Sequence, residues 1–231
     1  MGMIALNYQE WLLETASTFQ NLRLEGINLA KEAIGQTLTE DDLYILSLID
    51  KCIRLIDGFL ILLSDRNLTC LGILLRVQID NCLRTYALYA AKDKKEVFQS
   101  VVKGNKNINQ MLSIDGKPMT DTYLRKRLAR IDHRFDSVYR EASGFIHHSH
   151  KSFYQIASTD DPYILNIKIG NMISEELNPS LYECTEAFHY FVKFQYKLTG
   201  PFIESKHRLD DFMLLNTEFS RNPTDYISSG C

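Results

Sequence analysis

"LRKRLARIDHRFDSVYREASGF", residues 124–145, places apolar side chains at Leu124, Leu128, Ile131, Phe135, Val138, Ala142 and Phe145. These alternating steps of four and three hold them on one stripe of a helix turning about 100° per residue. One long amphipathic helix with this stripe against a core is therefore predicted. Reading outward in both directions, the same period recurs. A helix is predicted over about 8–34, with Trp11, Leu12, Ala16, Phe19, Leu22, Ile27 and Ala30 as its apolar positions. The stretch "TEDD" opens a second: Thr39 can accept from the first turn, and Glu40, Asp41 and Asp42 suit the positive end of the helix dipole. A third, about 68–91, is apolar nearly all round its first turns ("LTCLGILL"), which makes it the predicted centre of the fold.

A shorter helix is predicted over about 94–102, ending before Gly104, and Asp115-Gly116 and Lys117-Pro118 mark turns in the loop that follows. Beyond residue 150 the period changes. Tyr163, Leu165, Ile167 and Ile169 alternate after the turn signal Asp160-Asp161-Pro162, so a small β-hairpin is expected over about 153–172. Asn178-Pro179 then opens a helix that Gly200-Pro201 should end, with a short helix over about 202–215 and a frayed tail over about 217–231. The predicted architecture is all-α: a single helical domain, residues 1–231, forming a helical bundle with a small β-hairpin inserted before the last long helix.

Composition narrows the function classes. The chain has 231 residues, 45% hydrophobic and 24% charged, with a formal net charge of −3, so it carries no global basic signature. Nucleic-acid binding would need a local basic patch. The five cysteines (Cys52, Cys70, Cys82, Cys184, Cys231) include no CxxC pair, and three lie within apolar helical patterns. Reduced thiols in a cytoplasmic protein are expected, not a disulfide or zinc framework. No secretory leader is read in the first residues, where Glu10 interrupts a start without a positive region, and the apolar run "GFLILL" is too short to span a bilayer.

The segment "YREASGFIHHSH", residues 139–150, holds an arginine and three histidines. Arg140 and His147 are two helical turns apart, about 20° around the axis, and share one face of the predicted helix with His133, Asp136 and Gly144, opposite the apolar stripe. A solvated polar face is the plain reading of such a row. Against it stand the density of histidines in a chain that has six, and Gly144, which costs about 1 kcal/mol inside a helix. His147 and His150 fall short of a metal site in ligand count, and neither an HExxH nor a Glu-x-x-His pattern is present. No metal and no other cofactor is predicted. GxSxG, phosphate-loop and Rossmann patterns are also lacking.

Two further constellations accompany the pair. In "LLRVQIDNCLRTYALY", residues 74–89, Arg76 and Asp80 are four apart on an otherwise apolar helix, with Arg84 another turn along. Either Arg76 and Asp80 pair with each other, or their helix lines a cleft used by Arg140 and His147 and lends Asp80 or Asn81 as an orienting group. Lys126, Arg127, Arg130 and Arg134 are read as one flank of the Arg140 helix, with Lys92, Lys94, Lys95, Lys103 and Lys106 nearby. This is either a track for a phosphate backbone or a solvated face diluted by Asp132, Asp136 and Glu141.

An all-α chain whose late helix carries Arg140-Glu-Ala-Ser-Gly-Phe-Ile-His147 resembles the HEPN superfamily. Over about residues 40–200 it is similar to the abortive-infection and defence-like bacterial branches of that group. The resemblance implies a metal-independent RNA endonuclease of toxin or antiviral-defence type, with a composite Arg/His site at a homodimer groove and an antitoxin or defence-system partner. On that carry-over His147 is the general base or acid at the ribose 2′-OH and the leaving oxygen, and Arg140 stabilises the phosphoryl charge. The alternative is a catalytically inactive helical interaction module that uses the same stripe as a dimer or partner interface. In neither reading is the membrane a partner.

Overall fold

Helix starts in this chain are set by side-chain caps. Asn7 accepts from the Glu10 amide while Glu10 accepts from Asn7, and Thr39 does the same with Asp42, so two capping boxes open α1 (Tyr8–Ile34) and α2 (Glu40–Ser64). Asn67 caps α3 (Leu68–Ala90), and Asp93 caps α4 (Lys94–Lys103), which stops at Gly104 in the left-handed conformation (φ 62°). A 3-10 turn at Ile108–Gln110 precedes α5 (Asp121–Leu128), α6 (Arg134–Ile146) and α7 (Asn178–Arg221). This computed structural model describes residues 7–104, 106–146, 157–161, 164–167 and 177–221, of which 102, 157–161, 164–167 and 207–221 are described by backbone alone. The described chain is mostly helical. The hairpin expected over about 153–172 lies largely outside the described residues; within that span the backbones of Ala157–Asp161 and Ile164–Ile167 pair antiparallel.

α3 is the centre, packed against α2, α5, α6 and α7. Leu71, Ile79, Cys82 and Leu83 on it are fully buried, and Phe19, Phe59 and Phe188 from α1, α2 and α7 stack beside them in one apolar cluster. A buried amide network fixes the register of α2, α3 and α7. Gln78 donates to Gln195 (2.7 Å), Asn81 to Gln195 (2.9 Å) and to the Leu48 carbonyl (3.0 Å), and Gln195 to Leu48 as well (3.0 Å). Asn81 is thus a core residue and lines no cleft, which corrects the expectation that it orients a site. The described cysteines are free, and Cys52, Cys82 and Cys184 are buried. Burial pushes the Cys52 and Cys184 thiols up to about 12 and raises Cys82 as well, so they are protonated and inert.

Two helix boundaries differ from the periodicity. The stretch 124–145 is two helices, not one. The backbone tightens after α5, with Ile131 and Asp132 both donating to Leu128, and the Asp132 carboxylate accepts from the Arg134 amide at 2.9 Å, so Asp132 caps a new helix instead of continuing the old one. The Tyr190 hydroxyl of α7 donates to the same carboxylate, and the Arg134 guanidinium lies 4.3 Å from the Tyr190 ring centroid. Ile131 falls in the break and is 62% exposed, whereas Leu124, Leu128, Phe135 and Ala142 are buried as expected.

The second difference lies at Gly200-Pro201, where α7 continues instead of ending. The proline lacks the amide for a regular rung. Nearby, the Tyr89 hydroxyl from α3 donates to the Leu198 carbonyl (2.5 Å), one residue beyond the Lys197 carbonyl that the proline leaves without its rung, and so ties this part of α7 to α3. Packing holds the helix on the far side, where Ile203 and Lys206 are buried. Residues 217–221, expected to be frayed, are helical in backbone.

Candidate functional site

The polar side chains at the meeting of α3, α5 and α6 form a ladder built from α3 outward. Arg76 sits among core residues, its side chain 9% exposed, and points toward α6. Its Nε donates to Ser143 Oγ (3.2 Å) and its terminal nitrogen to the Tyr139 hydroxyl, while the guanidinium lies 3.9 Å from the Tyr139 ring centroid. Asp80, one turn along α3, supplies the counter-charge. A guanidinium this buried needs that many partners, because an unpaired charge there would cost several kcal/mol.

Arg125 approaches from α5. It also stands over Tyr139, 4.8 Å from the ring centroid, and contacts the Asp136 carboxylate at 2.8 Å. That contact is one of charge, since Arg125 Nε has no aligned hydrogen bond. Asp136 in turn accepts from Arg140 one turn along α6. Arg140 is 72% exposed, so the ladder runs from a buried arginine at α3 to an exposed one at the surface of α6. Close packing holds the two helices at this spacing. A Cβ at Gly72 of α3 would overlap the Phe145 ring of α6, so only glycine fits there.

The sequence-predicted residues distribute as follows. Asp80 belongs to Arg76, the intrahelical pair weighed above, and no hydrogen bond or ion pair among the described residues joins it to Arg140. His147, with His148 and His150, lies outside the described residues, directly beyond the last residue of α6, Ile146. His133 is exposed in the break between helices, one residue before α6 begins, and not on the helix that carries Arg140.

The basic flank is also redistributed. Lys126 and Arg127 are on α5, Arg130 is in the break and Arg134 opens α6, so the four do not share one helix face. Arg127 pairs with Asp115 (3.1 Å) and Arg134 with Asp132 (2.7 Å), while Lys126 and Arg130 are exposed and have no ion pair among the described residues. The hydrogen bond from Arg134 holds the Asp132 carboxyl well below the usual carboxylate range, and the Tyr190 phenol is raised by burial and by the adjacent Asp132.

Sequence reasoning missed Tyr139, Arg125 and Asp136 as partners. The signal was present in part, since Asp136 and Arg140 have the spacing of a helical ion pair. The contacts from Arg125 and Arg76 could not be read, because they depend on how three helices converge. Among the described residues no three His, Cys, Asp or Glu side chains gather as a metal site, and no described helix is long and apolar enough to cross a membrane. No protein-family model, no curated protein and no solved structure matches this chain.

Proposed function

We propose that the chain is a metal-independent RNA endonuclease of toxin or antiviral-defence type, a HEPN-like protein whose composite site forms where Arg140 and His147 of two protomers meet at a homodimer groove. The observation that carries this reading is the mounting of Arg140: an exposed guanidinium on a helix anchored from beneath by Arg76, Tyr139 and Arg125, on the last two turns before His147. An arginine presented this way can take two phosphoryl oxygens at once. In the proposed reaction, His147 removes the 2′-OH proton, and the 2′ oxygen attacks phosphorus to form a 2′,3′-cyclic phosphate. The P–O5′ bond breaks, and the leaving oxygen takes a proton from the second His147. Lys126 and Arg130 are the cations available for the flanking backbone, with Arg127 and Arg134 reaching it from their ion pairs. The same proposal includes a cytoplasmic location, an antitoxin or defence-system partner and the full hairpin over about 153–172.

The test is incubation of the purified protein with RNA in EDTA, alongside Arg140→Ala and His147→Ala. Metal-independent cleavage leaving 2′,3′-cyclic ends and lost in both variants is the expected result. RNA left intact under every condition, with the variants dissociating a dimer, would sink the reading. It would favour the inactive interaction module.

A further inference from the structure

The pair that Asp136 makes with Arg140 bears on how an RNA phosphate would be received there. In the described protomer Arg140 already holds an anion, the Asp136 carboxylate, so a phosphate arriving at this guanidinium must exchange with it. The exchange has a built-in receiver, because Arg125 touches the other oxygen of Asp136 without an aligned hydrogen bond. Once released by Arg140, the carboxylate can turn fully onto Arg125. Arg125 is fixed over the Tyr139 ring and moves little in this step. Of the carboxylates in the ion pairs described, Asp136 is the one shared by two arginines.

We infer that Asp136 is a positioning residue that gates the site: it occupies Arg140 as an internal anion until a ribonucleic phosphate displaces it onto Arg125. This rests on the RNA-cleaving reading above and adds its regulation. The gate makes removal of Asp136 and removal of Arg125 act in opposite senses. Removing the carboxylate frees Arg140 and strengthens RNA binding. Removing Arg125 leaves Asp136 with Arg140 alone and weakens it. A purely structural role would shift both variants the same way, since each breaks the same α5–α6 contact.

The experiment measures binding of a 2′-O-methyl RNA oligonucleotide, which cannot be cleaved at its 2′ position, by fluorescence anisotropy over a range of salt. Wild type, Asp136→Asn, Arg125→Gln, Arg140→Gln and the Asp136→Asn/Arg140→Gln double variant are compared after circular dichroism confirms the fold; Asp136→Ser replaces the amide if that variant misfolds. Asp136→Asn should bind roughly threefold tighter and steepen the salt slope by about 0.7, the share of one added phosphate contact on a single strand. The gain should vanish in the double variant, and Arg125→Gln should bind more weakly than wild type. If Asp136→Asn binds no tighter, or moves in the same direction as Arg125→Gln, while binding still depends on Arg140, the gate is wrong and the RNA reading stands. An oligonucleotide bound by no variant, or bound without any dependence on Arg140, overturns both.

Discussion

Replacing Lys206 by methionine should be among the most destabilising single changes in this chain. The ammonium group of Lys206, on α7 past the proline, is 8% exposed as a residue and sits at the turn between α1 and α2. Its three N–H groups are shared among four acceptors, the carbonyls of Ala33 and Ile34 (both 2.9 Å) and Thr37 (2.5 Å) and Asp42 Oδ2 (2.6 Å). One cation therefore satisfies the open carbonyl end of α1 and neutralises the acid of the α2 capping box. Breaking one side of a buried pair costs about 3–5 kcal/mol. Part of that is recovered here, since Ile34 and Thr37 are exposed enough for water to reach their carbonyls, and Asp42 keeps the Thr39 amide and hydroxyl. About 3 kcal/mol is the expected loss for Lys206→Met. With a urea slope of about 2–3 kcal/mol/M, the unfolding midpoint should fall by about 1–1.5 M. Asp42→Asn should cost less, about 2 kcal/mol, and the double variant should cost less than the two together by at least about 1 kcal/mol. A midpoint that moves by less than about 0.3 M in Lys206→Met, or two effects that simply add, would refute the claim that this lysine clamps the two helix ends.

Gly72→Ala should lower stability by about 1–3 kcal/mol in the same denaturation assay, and Phe145→Leu in that background should restore part of it by yielding the space the new methyl needs. Tyr89→Phe should cost about 1–2 kcal/mol in that assay through the lost hydrogen bond to the Leu198 carbonyl, and an unchanged midpoint would show that this tie to α7 contributes nothing. Asp132, whose folded pKa is depressed by Arg134 and Tyr190, stabilises the fold fully above the unfolded carboxylate pKa and loses that contribution as pH falls through the folded value. Wild type should therefore lose stability relative to Asp132→Asn in strong acid, and a difference between the two that is flat with pH would contradict the assignment.

The helical class and most element limits were legible because caps and apolar period agree along α1 to α4. "TEDD" does open α2 at the Thr39 cap, and the apolar run beginning at Leu68 does mark the buried centre. The break at Asp132 was not legible, because its apolar stripe passes through unbroken while the residue that ends it is held by Tyr190, distant in sequence. Pro201 misled for the converse reason. A local rule said stop, and the hydrogen bond from Tyr89 of α3 together with packing beyond the proline carried α7 on. In the ladder, the pairing of Arg76 with Asp80 could be read from helical spacing, as could the face that Arg140 shares with Asp136. The Asp136 link to Arg125 could not, because it joins two helices whose relative phase the Asp132 break resets.

That break also bears on what the site can do. Had 124–145 been one helix, Lys126, Arg130 and Arg140 would hold fixed angles about a single axis, and the exposed cations would form one rigid row. Split at Asp132, α5 and α6 are joined at the site by two contacts, the Arg125–Asp136 pair and the approach of Arg125 to Tyr139. The exposed cations therefore sit on two separate helices, and Asp136 links the two. On a solvated face such a link would matter little, since exposed ion pairs contribute about 0–1 kcal/mol whatever their angle. For the anion-binding surface proposed above, the spacing of α5 against α6 sets how firmly Asp136 holds Arg140. Replacing Asp132 by alanine, which removes the cap without touching Arg125, Asp136 or Arg140, should then change oligonucleotide affinity as well as stability. Affinity that stays constant while stability falls would show that the link serves the fold alone.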